Sequence, residues 1–533
     1  MVKRIAIITG RRAKKIIESI VSRVKPSSGL VIDVIDVPID IAALIPKSIL
    51  IEVVKKVEKQ YDVIIVPGTL EYSLDEIKEA VRIPIVRGPR DVWDLERLAE
   101  LDEYSLDEII GSGEFSPRSL LTRWIERLAE NHRSKECVDI CGVRVPIRPP
   151  PVVVVAELYL RGEKSVDEVS RIINDYIQRG ADLVVVGSAG GIADRDFILR
   201  VLEKSRDSGI TLGLDSGDSQ LVSEASKGGL ICFYMSVGLH NLEVLGKLSG
   251  EEWVVVIPMD KNHRVPSSPD ERISLLKKVV EEAERLGFSK IVVDPILDAP
   301  GSGSLPASLV SYYLASSVFI NKPLIAGVAN VYELIDADSH GQLAVLAQIL
   351  AESGVSLILV TEESWKTRMS ISEASIAATM ASISLMRSSP PKDLGVDLLY
   401  VKEKKPKLQT IPRVEVERVV DASIVSKWVR FRYDPLGSFR ISLDGDEIVV
   451  YYTGRRGVLK IRGLSAQDVY KSIKYLELAS DPLHYAYLGY ELSRAEIALR
   501  LKKSYIEEEE LLDPPWTKIR YSARYGKMIG KNQ

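Results

Sequence analysis

Val152-Val153-Val154-Val155-Ala156-Glu157 opens the stretch that decides the fold of this 533-residue chain. It is the first of eight short apolar runs, which are continuous rather than alternating and rich in Val and Ile, as is typical of buried parallel strands. A helical pattern follows each run, and eight β-α units within about 240 residues predict a (β/α)8 barrel. The runs lie at 152–157, 183–187, 211–215, 230–235, 253–258, 290–294, 323–327 and 357–361.

Residues 1–135 repeat this alternation on a smaller scale and predict a doubly wound α/β domain of the Rossmann or flavodoxin type. Turns that contain Gly10, Gly68 and Gly88 follow three of its strands. Ligands of open α/β sheets bind beyond the carboxyl ends of the strands. These turns therefore either meet at an anionic ligand or serve only as turns. The apolar runs lie at 5–9, 30–37, 61–66 and 83–87.

Residues 136–151 include four prolines and predict a stiff, extended linker, which places the barrel over 152–393. From residue 394 the pattern changes to alternating strands, with a hairpin turn at Asp444-Gly445 and two helical segments. We therefore expect a small α+β domain over 394–533.

Composition narrows the functional classes. The chain has 71 Lys and Arg against 75 Asp and Glu, which excludes a basic nucleic-acid binder, and no apolar stretch approaches the roughly 20 residues that span a bilayer. Three cysteines are too few for a disulfide framework, which favours a reducing, cytoplasmic setting, and five histidines never pair at metal spacing, so no metal is expected. Only seven Asn and eight Gln beside abundant Ile, Val, Glu, Lys and Arg indicate a thermophile.

The carboxyl ends of the barrel strands are where its chemistry is expected. Strand 3 ends at Asp215 and strand 6 at Asp294, while strand 7 is followed by Asn330. An ionised carboxylate only accepts hydrogen bonds and can take two N–H groups from one ring edge. These ends therefore suit an amidine-like heterocycle that carries several N–H donors. For Asn330, a simple turn residue is the competing interpretation.

These residues resemble the pterin-binding family that includes dihydropteroate synthase and pterin-dependent methyltransferases. The resemblance covers residues 150–390 and is carried by GADLVVVG at 180–187, LDS at 214–216 and GFSKIVVDP at 287–295. With its two extra domains, the whole chain is similar to the archaeal proteins called dihydropteroate synthase-related. The resemblance implies a reduced pterin as ligand, of the folate or tetrahydromethanopterin type, with Asp215 and Asp294 as the carboxylates that hold it.

Several departures from the synthase pattern favour the methyltransferases. Glu157 stands where those enzymes have G-E-R-I-N, while synthases have an Asn there for the pyrophosphate. GVANV at 327–331 resembles their G-x-S-N-V, so the resemblance gives Asn330 a place near the pterin N5, and the Lys of the synthase G-x-S-R-K pattern is missing. Strand 4 lacks the Asn that both branches use. Gly187 and Gly327 complete the expected binding site, by making room for the flat pterin or only by making turns.

Basic residues near the same strand ends offer a second kind of contact. Lys366 and Arg368 fall near the phosphate-binding Arg of synthases, and Lys261, His263 and Arg264 follow strand 5. They either neutralise a phosphate or a glutamate tail of the ligand or are solvated loop charges. Lys366, Arg368 and Asn330 are the expected catalytic residues.

The resemblance implies group transfer at the pterin, and the strand ends favour methyl transfer. The chain has no D-x-H-x-x-G, so we expect no bound corrinoid, and the methyl acceptor would be a separate corrinoid protein or another acceptor. Condensation of a pterin pyrophosphate with an arylamine and a non-catalytic pterin carrier or sensor stay open. So does the oligomeric state, with a homodimer as one option.

Overall fold

A computed structural model describes most of the chain. The described residues are 3–23, 30–90, 92, 95, 120–160, 164–188, 195–392, 394–402, 418, 420–429, 432–512, 520–522 and 527–529. The chain divides into two compact units, 1–404 and 405–533.

The N-terminal domain is a parallel four-stranded sheet of order β2-β1-β3-β4, and it confirms the doubly wound α/β fold. Its buried strands separate two apolar layers, one under each face of the sheet. A further helix, α4, follows it. The elements are β1 Lys3–Gly10, α1 Arg11–Arg23, β2 Leu30–Val37, α2 Lys47–Val57, β3 Val63–Val66, α3 Asp75–Ala80, β4 Ile85–Arg87 and α4 Leu120–Ser134.

Where the sequence predicts an extended linker, the structure shows a β-hairpin of β5 Cys137–Ile140 and β6 Val143–Pro146. The alternation of apolar residues explains it, because Ile140 and Val145 are buried and pack against interior side chains of the barrel. Cys141 and Gly142 make the turn, both with positive φ.

A disulfide joins Cys141 of this hairpin to Cys232. The expectation of reduced cysteines is therefore wrong for this pair. The two residues are 91 positions apart, so their contact depends on the tertiary fold and is not visible in the spacing.

The (β/α)8 barrel is confirmed by its strand pairing. Eight parallel strands follow the order β12-β11-β10-β9-β8-β7-β14-β13, and a parallel bridge between Val293 and Leu324 closes the circle. The strands are β7 Val153–Tyr159, β8 Leu183–Ser188, β9 Leu212–Ser216, β10 Ile231–Val237, β11 Trp253–Val256, β12 Ile291–Val293, β13 Ile325–Gly327 and β14 Leu357–Thr361.

Helices cover the outside of the barrel, with a short 3-10 helix, Leu242–Lys247, after β10. Ser165 opens the first of them with a capping box that it shares with Glu168. The helices are α5 Val166–Gln178, α6 Arg195–Asp207, α7 Ser219–Lys227, α8 Pro269–Arg285, α9 Leu305–Val318, α10 Ala329–Tyr332, α11 Ser339–Glu352 and α12 Ser370–Arg387.

Side chains alternate between the two sides of each barrel strand. In β7, Val153 and Val155 belong to the interior core, whereas Val154 and Ala156 belong to the layer under the helices. The same alternation in the other strands fills the interior with side chains, so the barrel is a packed core and not a channel.

The C-terminal unit is the predicted α+β domain. Its antiparallel sheet contains three strands, and two helices pack against it. His484 and Glu491, two polar residues of the second helix, are buried inside this unit beside Asp434 and Tyr505. The elements are α13 Ala422–Val425, β15 Gly437–Asp444, β16 Glu447–Gly454, β17 Gly457–Gly463, α14 Ala466–Tyr475, α15 Pro482–Arg500, β18 Arg520–Ser522 and β19 Lys527–Ile529.

Among the described residues, one helical segment, Trp365–Arg387, is long and apolar enough to cross a membrane by length and composition. It contains α12, which packs against α11, β7 and β14 as the last helix of the barrel. Its apolar character is therefore explained by burial within the barrel.

The disulfide gives the first testable prediction. Protein unfolded without reductant should show one reactive thiol per chain, that of Cys137, and three after reduction. Because the bridge restricts the unfolded chain, Cys232→Ala should lower the free energy of unfolding by about 2–4 kcal/mol, while Cys137→Ala should change it little. Three reactive thiols before reduction would contradict the bridge.

Candidate functional site

Three carboxylates occupy the mouth of the barrel. Glu157 lies in β7, Asp215 in β9, and Asp294 directly follows β12. By the alternation of side chains, each continues an interior-facing row, since Val155, Gly213 and Val292 precede them by two positions. Each is partly exposed, as a group that faces a ligand must be.

Asp294 is the most constrained of the three. Its Oδ1 accepts hydrogen bonds from the Tyr312 hydroxyl at 2.6 Å and from the backbone N–H of Ile296 at 2.8 Å. Within the described part of the chain, its Oδ2 accepts no hydrogen bond, so this oxygen stays available to a ligand. Burial raises the pKa of Asp294 to about 6, against the lowering effect of the Tyr312 hydrogen bond.

A buried arginine fixes the loop that carries Asp294. The Arg272 guanidinium, on α8 and 1% exposed, donates to the carbonyls of Pro295 and Ile296 and forms an ion pair of 2.8 Å with Asp298. The loop needs this support because Ile296 has a φ of 65°, which a β-branched residue rarely adopts. Arg272 thus acts on the site through the backbone of this loop.

Asn330 is attached to the same loop. It lies on the short helix α10 after β13, and its Nδ2 donates to the carbonyl of Leu297 at 2.9 Å. The structure therefore brings Asn330 and Asp294 to one edge of the mouth. Because the side-chain N–H of Asn330 donates to the carbonyl of Leu297, its Oδ1 can accept a hydrogen bond from a ligand.

Glu157 and Asp215 form the other edge of the mouth. Burial raises the pKa of Glu157 to about 7, and the charges of Asp215 and Glu363 add to this shift. Burial also raises the pKa of Asp215, whereas a hydrogen bond with Ser236 lowers it. Both carboxyls therefore titrate closer to neutral pH than ordinary carboxyls do.

Gly187 makes room for Glu157. A Cβ at this position would lie 2.8 Å from Glu157 Oε1 and 3.2 Å from the ring of Tyr159. Gly327, across the mouth, has Asn330 as its nearest neighbour at an ordinary 3.6 Å. Any side chain at Gly187 would thus displace the carboxylate.

A cleft of about 480 Å³ opens at the end of β7, between this strand, α5 and α6. Tyr159, Lys164 and Glu363 are among its lining residues. One wall contains a bidentate ion pair, in which the Arg179 guanidinium donates to both oxygens of Glu362, at 2.7 and 2.9 Å. The cleft is large enough for a second small molecule or for an extension of the first.

Lys366 and Arg368, the predicted phosphate-binding residues, lie in the exposed loop after β14. Lys366 Nζ pairs with Asp336 at 2.9 Å, and the Arg368 guanidinium stacks on the ring of Trp365. Their part in phosphate binding and catalysis stays a prediction. The glycine-rich turn at 189–191 lies outside the described residues.

Tyr312, Arg272 and Ser236 support the site, but the sequence did not predict this role for them. Tyr312 and Arg272 lie inside helical patterns, in which a polar residue is usually interpreted as part of the solvent-exposed face of the helix. The only available signal was the position of Arg272 among the apolar residues of α8, Ile273, Leu276 and Val279. A buried arginine needs partners, and that requirement points to a loop rich in carbonyls.

Comparisons with known proteins match the C-terminal domain and, for one relative, nearly the whole chain. A family model described as PterinBD-DUF4346 matches residues 433–508, in the C-terminal domain. Uncharacterized protein MJ0107 of Methanocaldococcus jannaschii is 30% identical over 547 aligned positions, which cover 96% of this chain and 99% of that protein.

The chain belongs to the same family as this archaeal protein.

Solved dihydropteroate synthases also match, over about half of this chain. The enzyme of Yersinia pestis with a pterine-sulfa conjugate is 15% identical, with a TM-score of 0.38, and covers 48% of this chain and 100% of its own. That of Burkholderia cenocepacia with 7,8-dihydropteroate is 14% identical, with a TM-score of 0.36, and covers 48% and 96%. These scores are low, and the barrel is established by its strand pairing.

The raised pKa of Glu157 predicts a pH-dependent stability. A carboxyl with a pKa of about 7 when folded and 4.5 in its ordinary state stabilises the fold below about pH 4.5 and loses this contribution as the pH rises through 7. The side chain of Glu157→Gln stays neutral at every pH. Above about pH 8, the free energy of unfolding of this variant should therefore exceed that of the wild type by on the order of 1–3 kcal/mol, whereas near pH 4 the two values should be almost equal.

Thermal unfolding followed by circular dichroism across this pH range measures the difference. The exposed Glu281, on α8, is the matched control, and Glu281→Gln should show no such trend. A gain from Glu157→Gln that is the same at every pH would contradict the raised pKa.

Arg272 gives a prediction of stability. Arg272→Met should lower the free energy of unfolding by about 3–5 kcal/mol, because Asp298 loses its buried partner and the loop loses its donors. Arg285→Met, also on α8, removes an exposed pair with Glu282 and should cost less than about 1 kcal/mol. Denaturant unfolding of both variants tests this contrast, and equal losses would refute it.

Proposed function

We propose that the barrel binds a reduced pterin, of the folate or tetrahydromethanopterin type, and transfers a methyl group from it to a separate acceptor. The observation that carries the proposal is the free Oδ2 of Asp294, held at the barrel mouth by Tyr312 and the loop backbone. A pterin ring edge presents adjacent N–H groups, which suit a fixed carboxylate acceptor.

The binding role extends to Asp215, Asn330 and Glu157, with Gly187 and Gly327 leaving space for the ring. Asp215 faces the mouth from β9, and Asn330 shares the loop of Asp294. In this arrangement Asp215 and Asp294 hold the ring, while Asn330 lies near the methyl-bearing nitrogen and Glu157 is placed to exchange a proton near neutral pH.

The state of the two cations favours methyl transfer over condensation. A leaving pyrophosphate needs positive charge, but Lys366 is paired with Asp336, and Arg368 is stacked on Trp365. Methyl transfer leaves no pyrophosphate and needs no such clamp. The acceptor, a corrinoid protein or another methyl acceptor, is a partner of this chain in the proposal. A cytoplasmic location is part of the proposal.

Calorimetric titration of the full-length protein tests the ligand. Methyl-tetrahydrofolate and methyl-tetrahydromethanopterin should bind to the wild type, with an affinity that falls as the pH drops below about 6, because Asp294 becomes protonated. Asp294→Asn replaces an acceptor oxygen with a donor and should weaken binding at least about 100-fold. The exposed Asp270, on α8, provides the control variant Asp270→Asn. Absence of binding at millimolar pterin would reject the proposal.

The same titration separates the candidate reactions. A methyltransferase should prefer the methylated pterin and lose affinity in Asn330→Ala. A synthase should instead bind pterin pyrophosphate with a dependence on Lys366 and Arg368. Tight pterin binding without turnover by any acceptor would indicate a carrier or sensor.

A further inference from the structure

The N-terminal domain contains a cavity of about 170 Å³ that the proposed function does not use. We propose that this cavity is a second binding site, for a mononucleotide-sized anion, with its ring in the cavity and its phosphate at the rim. The site is independent of the pterin site, because it belongs to the four-stranded sheet of β1–β4 and not to the barrel.

The cavity lies where an open α/β sheet binds ligands. The order β2-β1-β3-β4 shows that the chain leaves β1 towards one side and later continues on the other side with β3. A crevice therefore opens between the carboxyl ends of β1 and β3, at the topological switch point of the sheet. Thr9 near the end of β1 and Gly68 after β3 both line the cavity.

Two glycines shape one wall of this cavity. A Cβ on Gly68 would lie 2.2 Å from the carbonyl oxygen of Gly88, and a Cβ on Gly88 would lie 2.8 Å from Ile65 Cγ2. The turns after β3 and β4 are thus in direct backbone contact. This contact closes the crevice on the side of β4 and leaves a slot over β1 and β3.

The volume of the slot and the residues that line it indicate which kind of ligand it can bind. A volume of about 170 Å³ is below the roughly 300–1,000 Å³ of drug-sized pockets, so it has room for one flat heteroaromatic ring system but not for a dinucleotide. Most lining side chains are apolar, such as Ile7 and Ile65, and no acidic side chain is among the described residues that line it. The exposed Arg90 is the cation of the lining.

The available donors place the phosphate at the rim. The first two N–H groups of α1, those of Arg11 and Arg12, already donate to the carbonyls of Ile39 and Asp40. Arg87 is also committed, because its guanidinium donates to the carbonyls of Leu70 and Tyr72. The anion therefore depends on Arg90, because Arg12 pairs with Asp40 at 3.7 Å, and the exposed Arg11 lies at the start of α1 outside the cavity lining.

The test is a calorimetric titration of the full-length protein with AMP, adenosine and inorganic phosphate. AMP should bind at least about tenfold more tightly than either fragment, since only AMP uses both the slot and the rim. Ala13→Leu fills the slot and should abolish AMP binding. Arg90→Gln, at an exposed position, should weaken it about tenfold, and the control Arg82→Gln, also exposed, should not change it.

The pterin site serves as the second control. Asp294→Asn should leave AMP binding intact, so failure of the pterin proposal and failure of this one are distinguishable. Absence of AMP binding at millimolar concentration, or binding that Asp294→Asn removes while Arg90→Gln and Ala13→Leu retain it, would overturn the proposal. Equal affinity for phosphate and AMP would overturn the assignment of the slot to a ring.

Discussion

Closure of the eight-stranded sheet is the constraint on which the rest of the structure depends. Once the bridge between Val293 and Leu324 joins β12 to the start of β13, every strand has two neighbours and all eight carboxyl ends face one opening. Alternating side chains then divide into an interior core and a layer under the helices. Carboxylates from β7, β9 and β12, which are far apart in the sequence, reach the same mouth for this reason alone.

The polar part of the mouth is fixed by a few buried donors. Arg272 holds the backbone after β12, Tyr312 holds Asp294, and Asn330 ties β13 to the same loop. Burial of carboxyls in this setting disfavours their charged form, and their pKa values rise. A ligand that donates hydrogen bonds to these carboxylates replaces the hydrogen bonds with water that the carboxylates lose on burial. The site is thus organised before any ligand arrives, which lowers the cost of binding.

The sequence alone predicted the strands and helices better than the side-chain contacts that hold them in place. The apolar runs identified the barrel strands, because a fully buried parallel strand has a composition that few other structures tolerate. Asp215, Asp294 and Asn330 could be singled out because they follow such runs directly. Tyr312 and Arg272 could not, since their role comes from contacts between helices and a loop. The hairpin at 137–146 was hidden by the prolines around it, and the disulfide by the distance between its cysteines.

The hairpin also decides how the barrel is approached. Ile140 and Val145 pack against the interior residues at the amino-terminal end, and the interior itself is filled. Among the residues that the structure describes, the barrel is therefore open at the carboxyl ends of its strands and covered at the other end. A pterin seated against Asp215 and Asp294 and an acceptor protein would have to use that one opening. A bound acceptor protein would then cover the route by which the pterin enters and leaves.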